Sequence, residues 1–234
     1  MPVLEARQIS AGYGPQPVIH DVDIVVEPGE VVGLLGANGA GKTTTLLALA
    51  GELPLLGGQV RLDGASTAAP LHERARRGLT FVTEERSVFM SLTARDNLRV
   101  ANVDVDTALG QFPELARLLG VRAGLLSGGE QQMLTLARAL SRGPRVLLAD
   151  ELSMGLAPLI VKRLLEAVVR IAKQQGTAVL LVEQHVRRAL AYCDRAYVMR
   201  RGRIELGGSA AELLGRLSEI EDRYLTAASG AGPS

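Results

Sequence analysis

Residues 36–43 have the types and spacing of a loop that binds phosphate groups. They read Gly-Ala-Asn-Gly-Ala-Gly-Lys-Thr and match the P-loop pattern G-x-x-x-x-G-K-[ST]. The apolar run Val31–Leu35 precedes the loop as a buried strand, and residues 43–50 follow it with a helical pattern, so that backbone N–H groups and a helix N-terminus face one anion. Lys42 can then reach the β- and γ-phosphates of a nucleotide, and the Thr43 hydroxyl can ligate Mg²⁺. The predicted nucleotide-binding residues of this loop are Gly36, Ala37, Asn38, Gly39, Ala40, Gly41, Lys42, Thr43 and Thr44.

The alternative for this stretch is a glycine-rich turn that contains a lysine by chance. The chain has only three lysines, Lys42, Lys162 and Lys173, so a chance match to the whole pattern is rare. We therefore interpret the stretch as a phosphate site.

Two adjacent carboxylates form a second group of residues that could do chemistry. Asp150 and Glu151 end the apolar run at 146–149, and parallel strands present their carboxyl ends to the ligand crevice. Asp150 can hold Mg²⁺ there, and Glu151 can polarise the attacking water as a general base. The alternative is a surface strand end whose acids cap the next helix, and the P-loop upstream disfavours it.

Ser127, Gly128 and Gly129 open a predicted helix over residues 130–142. A serine and two glycines at this place favour an anion-binding helix N-terminus. The alternative is an ordinary capped loop, because serine is also a good N-cap residue.

The composition indicates a globular chain and excludes several classes of protein. The 234 residues, 47% of them apolar and 3% aromatic, suffice for one large domain or one domain with an inserted lobe. The net charge of +1 argues against a nucleic-acid partner. The single cysteine, Cys193, excludes an internal disulfide and fits a reducing cytosol. Since no apolar run approaches the ~20 residues of a membrane span, a membrane role must come through a partner.

Apolar runs alternate with helical patterns and predict a parallel sheet covered by helices. Residues 59–62 are bracketed by Gly57-Gly58 and Asp63-Gly64, which predicts a hairpin at a sheet edge. Thr93, with Asp96 three residues later, predicts a helix N-cap at the start of a helical lobe. The predicted strands are 3–9, 18–26, 31–35, 59–62, 79–82, 146–149, 177–182, 197–199 and 204–206. The predicted helices include 43–50, 130–142 and 158–175.

The order of these motifs identifies a family resemblance. The stretch Leu-Ser-Gly-Gly-Glu-Gln at 126–131, lying between the P-loop and Asp150, is similar to the signature of the ATP-binding cassette (ABC) ATPases, and the resemblance covers residues 3–225. It implies that two such domains pair head to tail, with Ser127 and Gly129 contacting the γ-phosphate bound in the partner's P-loop. It also implies that Tyr13 stacks on the adenine ring, which its position before the P-loop strand favours over the alternative of a turn aromatic packed on the sheet.

Other stretches resemble one branch of that family. These are residues 83–89, 112–115, 124–134, 155–158 and 182–184, which look like the second of the two paired ATPases of branched-chain amino-acid uptake transporters. Urea and amide importers carry similar subunits. The resemblance implies ATP and Mg²⁺ as cofactors, a location at the cytoplasmic face of the membrane, transmembrane permease subunits as partners and, indirectly, an extracytoplasmic substrate-binding protein. A second ABC ATPase is also implied, as a heterodimer in preference to a homodimer.

Two positions depart from the family pattern near the expected metal. Glu84 stands where the family has Gln; its carboxylate can still approach Mg²⁺ or a bound water, although it cannot donate a hydrogen bond as an amide can. Leu152 follows Glu151 where the family has Pro, which removes a rigid turn element beside the predicted base.

The residue that contacts the γ-phosphate from the last parallel strand stays open between two neighbours. The resemblance favours Gln184 over His185, and strand alternation aims adjacent side chains in opposite directions, so that only one can serve.

The resemblance also implies a docking surface for the permease, formed by residues 84–92 and the helical lobe. Val88, Phe89 and Met90 form a small apolar cluster that could insert into a groove of the permease. The alternative is a buried anchor for the loop.

Together these observations predict an α/β fold of the P-loop NTPase type: a RecA-like parallel sheet core, an antiparallel β subdomain and an inserted helical lobe at about 91–142. We expect one ABC domain at 1–225 and a disordered tail at 226–234. The predicted function is the ATP-hydrolysing subunit of a branched-chain amino-acid importer, with a related importer or a weakly catalytic nucleotide-binding partner as alternatives. A soluble ABC protein acting on ribosomes or DNA is disfavoured, because the chain has one cassette and no basic tract.

Overall fold

A computed structural model describes residues 1–220 and 222 of the chain. The strands are β1 (Leu4–Ala11), β2 (Ile19–Val26), β3 (Val31–Leu35), β4 (Leu55–Leu62), β5 (Ala65–Thr67), β6 (Leu79–Val82), β7 (Val146–Asp150), β8 (Ala178–Glu183), β9 (Arg195–Arg200) and β10 (Arg203–Ser209). The α-helices are α1 (Lys42–Ala50), α2 (Leu71–Arg76), α3 (Ala94–Val100), α4 (Val105–Gln111), α5 (Gly128–Leu140), α6 (Pro158–Gln175), α7 (Val186–Leu190), α8 (Ala210–Gly215) and α9 (Leu217–Ile220). Short 3₁₀ helices cover Pro113–Leu118 and Ala123–Leu125.

A six-stranded sheet forms the centre of the fold, in the order β10-β9-β3-β8-β7-β6. All of its strands are parallel except β10, which pairs antiparallel with β9. Every residue of β3, β7 and β8 is buried, as expected for parallel strands covered on both faces. The predicted α/β fold is confirmed.

The pairing of three adjacent strands aligns their carboxyl ends. Leu35 at the end of β3 pairs with Glu183 at the end of β8, and Asp150 at the end of β7 pairs with Val182. The loops that follow these three strands therefore emerge side by side, at one edge of the sheet.

The second sheet is antiparallel, in the order β2-β1-β4-β5. The predicted hairpin is present, since β4 pairs antiparallel with β5 across Asp63 and Gly64. The edge strand, however, is β5 and not residues 59–62, because β4 is longer and also pairs with β1. Gly57 and Gly58 lie inside β4, beside a shift in its register with β1, rather than before the strand. Gly58 has φ +75°, and a Cβ there would come 2.2 Å from the carbonyl oxygen of Gln8, so only glycine lets the strand continue past this irregularity.

The segment predicted as a helical lobe contains α3, α4, both 3₁₀ helices and α5. Phe112 and Leu115 are fully buried in a cluster that includes residues of all three α-helices and of α6. The predicted N-cap is confirmed: Thr93 Oγ1 accepts a hydrogen bond from the Asp96 N–H at 3.1 Å. The boundaries 91 and 142 stay a prediction.

The carboxyl-terminal part is helical as far as it is described, with α8 and α9 ending at Ile220. Residue 221 and residues 223–225 of the predicted domain, and the predicted tail at 226–234, lie outside the described residues. Among residues 1–220 and 222, no helix combines the length and apolar character that a membrane crossing requires.

A buried amide fixes the loop between β6 and α3. Asn97 is fully buried, and its Oδ1 accepts a hydrogen bond from the Phe89 N–H at 2.8 Å. Its Nδ2 donates to the carbonyl oxygens of Phe89 and Thr93, both at 3.0 Å. One side chain thus ties the exposed Phe89 loop to the helical segment behind it.

We expect Asn97→Ala to lower the free energy of unfolding by about 2–3 kcal/mol, because the Phe89 N–H and the two carbonyls lose a buried partner. Urea unfolding would measure this change. Arg99→Ala, on the exposed side of the same helix, is the control and should change stability by less than about 0.5 kcal/mol. Equal effects of the two substitutions would contradict the structural role of Asn97.

Candidate functional site

A cavity of about 390 Å³ lies where the loops after β3, β7 and β8 meet. Six of the predicted phosphate-loop residues line it. The predicted acids Glu84 and Glu151 and the predicted amide Gln184 join them from other loops. The residues brought together there are Asn38, Gly39, Gly41, Lys42, Thr43, Thr44, Glu84, Glu151 and Gln184. The tertiary structure therefore assembles most of the predicted site in one place.

Close packing behind the phosphate loop explains its glycines. A Cβ at Gly36 would lie 2.4 Å from the carbonyl oxygen of Met199, and one at Gly41 would lie 2.8 Å from Ile19 Cγ2. Gly41 also has φ 107° and is the N-cap of α1, so no side chain caps the first N–H groups of that helix. Ala40 is buried, and its carbonyl accepts a hydrogen bond from the Gly202 N–H at 2.8 Å. The loop is thus held from behind while its N–H groups stay available to an anion.

The Lys42 ammonium is held at the mouth of this loop. Lys42 is 5% exposed, and its Nζ donates to the carbonyl oxygens of Gly36 and Ala37 at 2.9 and 3.1 Å. Burial lowers the pKa of Lys42, and the nearby charges of Glu151 and Asp150 oppose that effect. The Glu151 carboxylate is 3.9 Å away. A cation so placed suits the stabilisation of phosphate charge.

Oxygen ligands for a hard cation meet beside Lys42. Asp150 is 3% exposed, and burial raises its pKa, while a hydrogen bond with the Thr43 side chain lowers it. The charge of Glu84 also acts on Asp150 and raises its pKa. Asp150 Oδ1 is buried and has no hydrogen-bond partner within the described part of the chain. A buried carboxylate oxygen without a partner, next to a hydroxyl and a second carboxylate, fits the oxygen ligands that Mg²⁺ prefers.

The predicted base and the predicted amide contact each other directly. Gln184 Nε2 donates to both Glu151 carboxylate oxygens at 2.9 Å. His185 instead lines a neighbouring cavity of about 170 Å³ and begins α7. Both residues follow the end of β8 at Glu183, so strand alternation does not decide between them. Gln184 lines both cavities, and of the two residues it is the one that lines the phosphate cavity.

Ser127, Gly128 and Gly129 lie elsewhere. Ser127 is the N-cap of α5 in a capping box, donating to Glu130 Oε2 through its N–H at 2.9 Å and its hydroxyl at 2.8 Å. These hydrogen bonds lower the pKa of Glu130. Within the described residues, none of the three lines the phosphate cavity of its own chain. Both interpretations of this stretch remain compatible, since a capped N-terminus still presents N–H groups.

Tyr13 lies at the rim of the site. Its hydroxyl is 3.5 Å from Thr44 Oγ1, and its ring is 69% exposed. The ring is therefore not packed into the sheet, and one face is open to a planar ligand.

The sequence reasoning missed four residues at or beside the site. Val18 and Met154 line the phosphate cavity, and no local pattern marks them. Ser153 and Glu183 form a buried hydrogen bond of 2.6 Å next to it. Their positions close to Glu151 and Gln184 in the sequence could have marked them as candidates. Their contact could not be predicted, because it joins residues 30 apart in the sequence.

Comparisons with known proteins agree with this geometry. The family model described as "ABC transporter" matches residues 19–153. A high-affinity branched-chain amino acid transport ATP-binding protein (BraG) of Pseudomonas aeruginosa is 39% identical, over 95% of this chain and 99% of the relative. A probable branched-chain amino acid transport ATP-binding protein (LivF) of Archaeoglobus fulgidus is 36% identical, over 91% and 94%. The lipopolysaccharide export system ATP-binding protein (LptB) of Escherichia coli is also 36% identical, over 92% and 93%.

Solved structures give the same result for the fold. An ATP-binding subunit of an ABC transporter superposes with a TM-score of 0.80 at 29% identity, over 92% of this chain and 93% of that one. An ATP-binding cassette of an ABC transporter superposes with a TM-score of 0.85 at 25% identity, over 94% and 97%. The resemblance inferred from the motifs is confirmed, and the chain belongs to the ABC transporter family as an ATP-binding, ATP-hydrolysing domain.

Proposed function

We propose that this chain is the ATP-hydrolysing subunit of an ABC importer that takes up branched-chain amino acids. The observation that carries the proposal is its similarity, over more than nine-tenths of its length, to two proteins named for branched-chain amino-acid transport. A related importer of urea, amides or other amino acids is the first alternative. Lipopolysaccharide export is a second and less favoured one, because LptB is slightly less similar than BraG.

In this proposal the N–H groups of the phosphate loop and four side chains hold Mg·ATP. Lys42 moves its hydrogen bonds from the loop carbonyls to the β- and γ-phosphates, and the free N–H groups of the loop bind the same oxygens. Thr43 and Asp150 ligate Mg²⁺, and Glu84 ligates it directly or through water. When bound, Mg²⁺ neutralises phosphate charge in the transition state.

Glu151 is the proposed general base for the attacking water. Its carboxylate faces the phosphate cavity and is already oriented by the Gln184 amide. The same amide can donate to a γ-phosphate oxygen, so we assign the phosphate contact to Gln184 rather than His185. Exchange of the Gln184 hydrogen bond from Glu151 to phosphate would free the carboxylate to accept a proton from water.

The proposal includes a second ATPase subunit, paired head to tail. The position of Ser127, Gly128 and Gly129 outside their own phosphate cavity supports it, because the first N–H groups of α5 then serve the nucleotide of the partner. We favour a heterodimer with a related ATPase, with a homodimer as the alternative. Tyr13, exposed beside Thr44, stacks on the adenine ring in this arrangement.

The permease is proposed to dock at the Phe89 loop, at the cytoplasmic face of the membrane. Phe89 and Met90 are both 49% exposed, which supports a contact surface rather than a buried anchor, whereas Val88 packs partly against the core. Arg138 lies over the Phe89 ring at 5.4 Å and donates to the Ser87 carbonyl, which holds the loop from the side of α5. A substrate-binding protein outside the membrane would act through the permease alone.

We expect Glu151→Gln to retain ATP binding and to lower the ATPase rate of the complete transporter by about 10²–10⁴-fold, because the amide cannot accept the proton of water. Steady-state phosphate release and nucleotide affinity would measure the two effects. Glu205→Gln, an exposed glutamate on β10, is the matched control and should hydrolyse ATP normally. Hydrolysis by Glu151→Gln at the wild-type rate would refute the assignment of the base. A complete transporter whose wild-type form hydrolyses ATP only at the other subunit's site would support the weakly catalytic alternative.

The choice between the two residues that follow β8 has its own test. Gln184→Ala should lower kcat for ATP by about tenfold or more, equivalent to at least ~1.4 kcal/mol of barrier, because the γ-phosphate loses a donor. His185→Ala should leave kcat within about twofold, since His185 does not line the phosphate cavity. The opposite pattern would move the phosphate contact to His185.

Transport itself can be measured as uptake of labelled leucine, isoleucine and valine. Cells that lack this chain should recover uptake when they carry the wild type and not when they carry Glu151→Gln, because hydrolysis at this site resets the transporter after each closure. Labelled urea and amides are screened in the same strains. Unchanged uptake of all three amino acids in every strain would refute the branched-chain assignment while leaving the ATPase in place.

A further inference from the structure

A buried glutamate next to the catalytic site has no role in the mechanism proposed so far. Glu183, the last residue of β8, is 1% exposed, and its Oε2 accepts a hydrogen bond from Ser153 Oγ at 2.6 Å. Ser153 is itself 8% exposed. Glu183 Oε1 is buried and has no hydrogen-bond partner within residues 1–220 and 222. Burial of a carboxylate is costly, so its retention at this place needs an explanation.

Ser153 lies close to the proposed base in the sequence, and Glu183 lies next to the proposed amide. Ser153 is two residues after Glu151, and Glu183 is immediately before Gln184. Gln184 in turn donates to both oxygens of Glu151 at 2.9 Å. Two side-chain contacts therefore connect the turn after β7 to the end of β8. One is the Gln184–Glu151 contact at the reacting groups, and the other is the Ser153–Glu183 contact behind them.

The turn that carries Glu151 needs support from outside. Glu151 has φ 45°, a left-handed conformation that costs a residue other than glycine of order 1 kcal/mol or more and persists only when its surroundings enforce it. Leu152 provides no proline ring to stiffen the turn; it is 1% exposed and packs into the core instead. The Glu151 N–H donates to the Val182 carbonyl at 3.0 Å, which holds only the first residue of the turn. The Ser153–Glu183 contact holds its other end.

Building on the proposed function, we infer that Ser153 and Glu183 are positioning residues for ATP hydrolysis. Their hydrogen bond holds the turn of Glu151 against the strand end that carries Gln184. The base and the amide thereby keep a fixed separation while Gln184 exchanges Glu151 for phosphate. Neither residue lines the phosphate cavity; both line the smaller neighbouring cavity with His185 and Arg188. They therefore act through Glu151 and Gln184 and not on the nucleotide.

A carboxylate suits this role better than a neutral acceptor. The Ser153 hydroxyl bonds to a charged group, and such bonds are shorter and roughly twice as strong as neutral ones. Burial raises the pKa of Glu183, and the hydrogen bond from Ser153 and the charge of Arg188 oppose that effect. The short contact of 2.6 Å agrees with this description.

A double-mutant cycle on kcat tests the inference. The variants are Ser153→Ala, Glu183→Gln and the double substitution, all assayed in the complete transporter. We expect each single variant to lower kcat by about tenfold with KM for ATP within about twofold, because binding stays intact while the base is misplaced. The double variant should be no slower than the slower single variant, since both substitutions break one contact.

A matched control separates positioning from stability. Thr177, at the opposite end of β8, is fully buried and donates from Oγ1 to the Pro144 carbonyl at 2.7 Å. Thr177→Val should lower Tm as much as Ser153→Ala does, and leave kcat unchanged. Thermal unfolding of all variants is measured beside the kinetics.

Three results would overturn the inference. The first is an unchanged kcat in folded Ser153→Ala and Glu183→Gln, and the second is independent, multiplicative losses of kcat in the double variant. The third is a loss of kcat that only follows the loss of Tm, so that Thr177→Val loses as much kcat as Ser153→Ala. The wild type and Glu151→Gln are assayed in the same series. Equal hydrolysis by those two would refute the proposed role of Glu151, a result that is distinct from a failure of the cycle.

Discussion

The site depends on the alignment of three buried parallel strands. Backbone hydrogen bonds pair the end of β3 with the end of β8, and the end of β7 with the same strand. Side chains that follow these strands must then meet at one edge, whatever the loops between them do. Lys42, Asp150, Glu151 and Gln184 come from segments far apart in the chain, and this register is what puts them within contact distance.

The same arrangement buries charge, and the buried charge is what makes the site useful. Lys42, Asp150 and Glu183 are each no more than 5% exposed. Burial lowers the pKa of Lys42 and raises the pKa values of Asp150 and Glu183, so that it favours the neutral form of each group. Such groups lower the stability of the isolated fold unless partners compensate. Loop carbonyls accept hydrogen bonds from Lys42, and Ser153 donates one to Glu183, while Asp150 and Glu183 each keep one oxygen without a partner in the described chain. The fold therefore compensates these buried charges only in part, and the oxygen of Asp150 lies at the proposed metal site.

The turn after β7 has a strained backbone at Glu151 and a leucine, Leu152, in place of a proline. Glu151 adopts a left-handed conformation directly after β7, and Leu152 follows it where the family resemblance implies a proline. Burial of Leu152 and the hydrogen bond of Ser153 hold the turn by tertiary contacts instead. A substitution that the sequence marks as a loss of rigidity is therefore compensated by packing, which no local pattern reveals.

The sequence by itself determined the features that depend on residue type and short spacing. The phosphate loop, the apolar strand before Asp150, the Thr93 cap and the bounds of α6 all follow from local chemistry, and the structure has them where the pattern predicts. Only the tertiary structure decided which distant groups touch. It put β4 inside its sheet rather than at the edge, brought Gln184 and not His185 to the phosphate cavity, and joined Ser153 to Glu183. Strand order and long-range contacts come from the packing of whole elements, which local sequence does not encode.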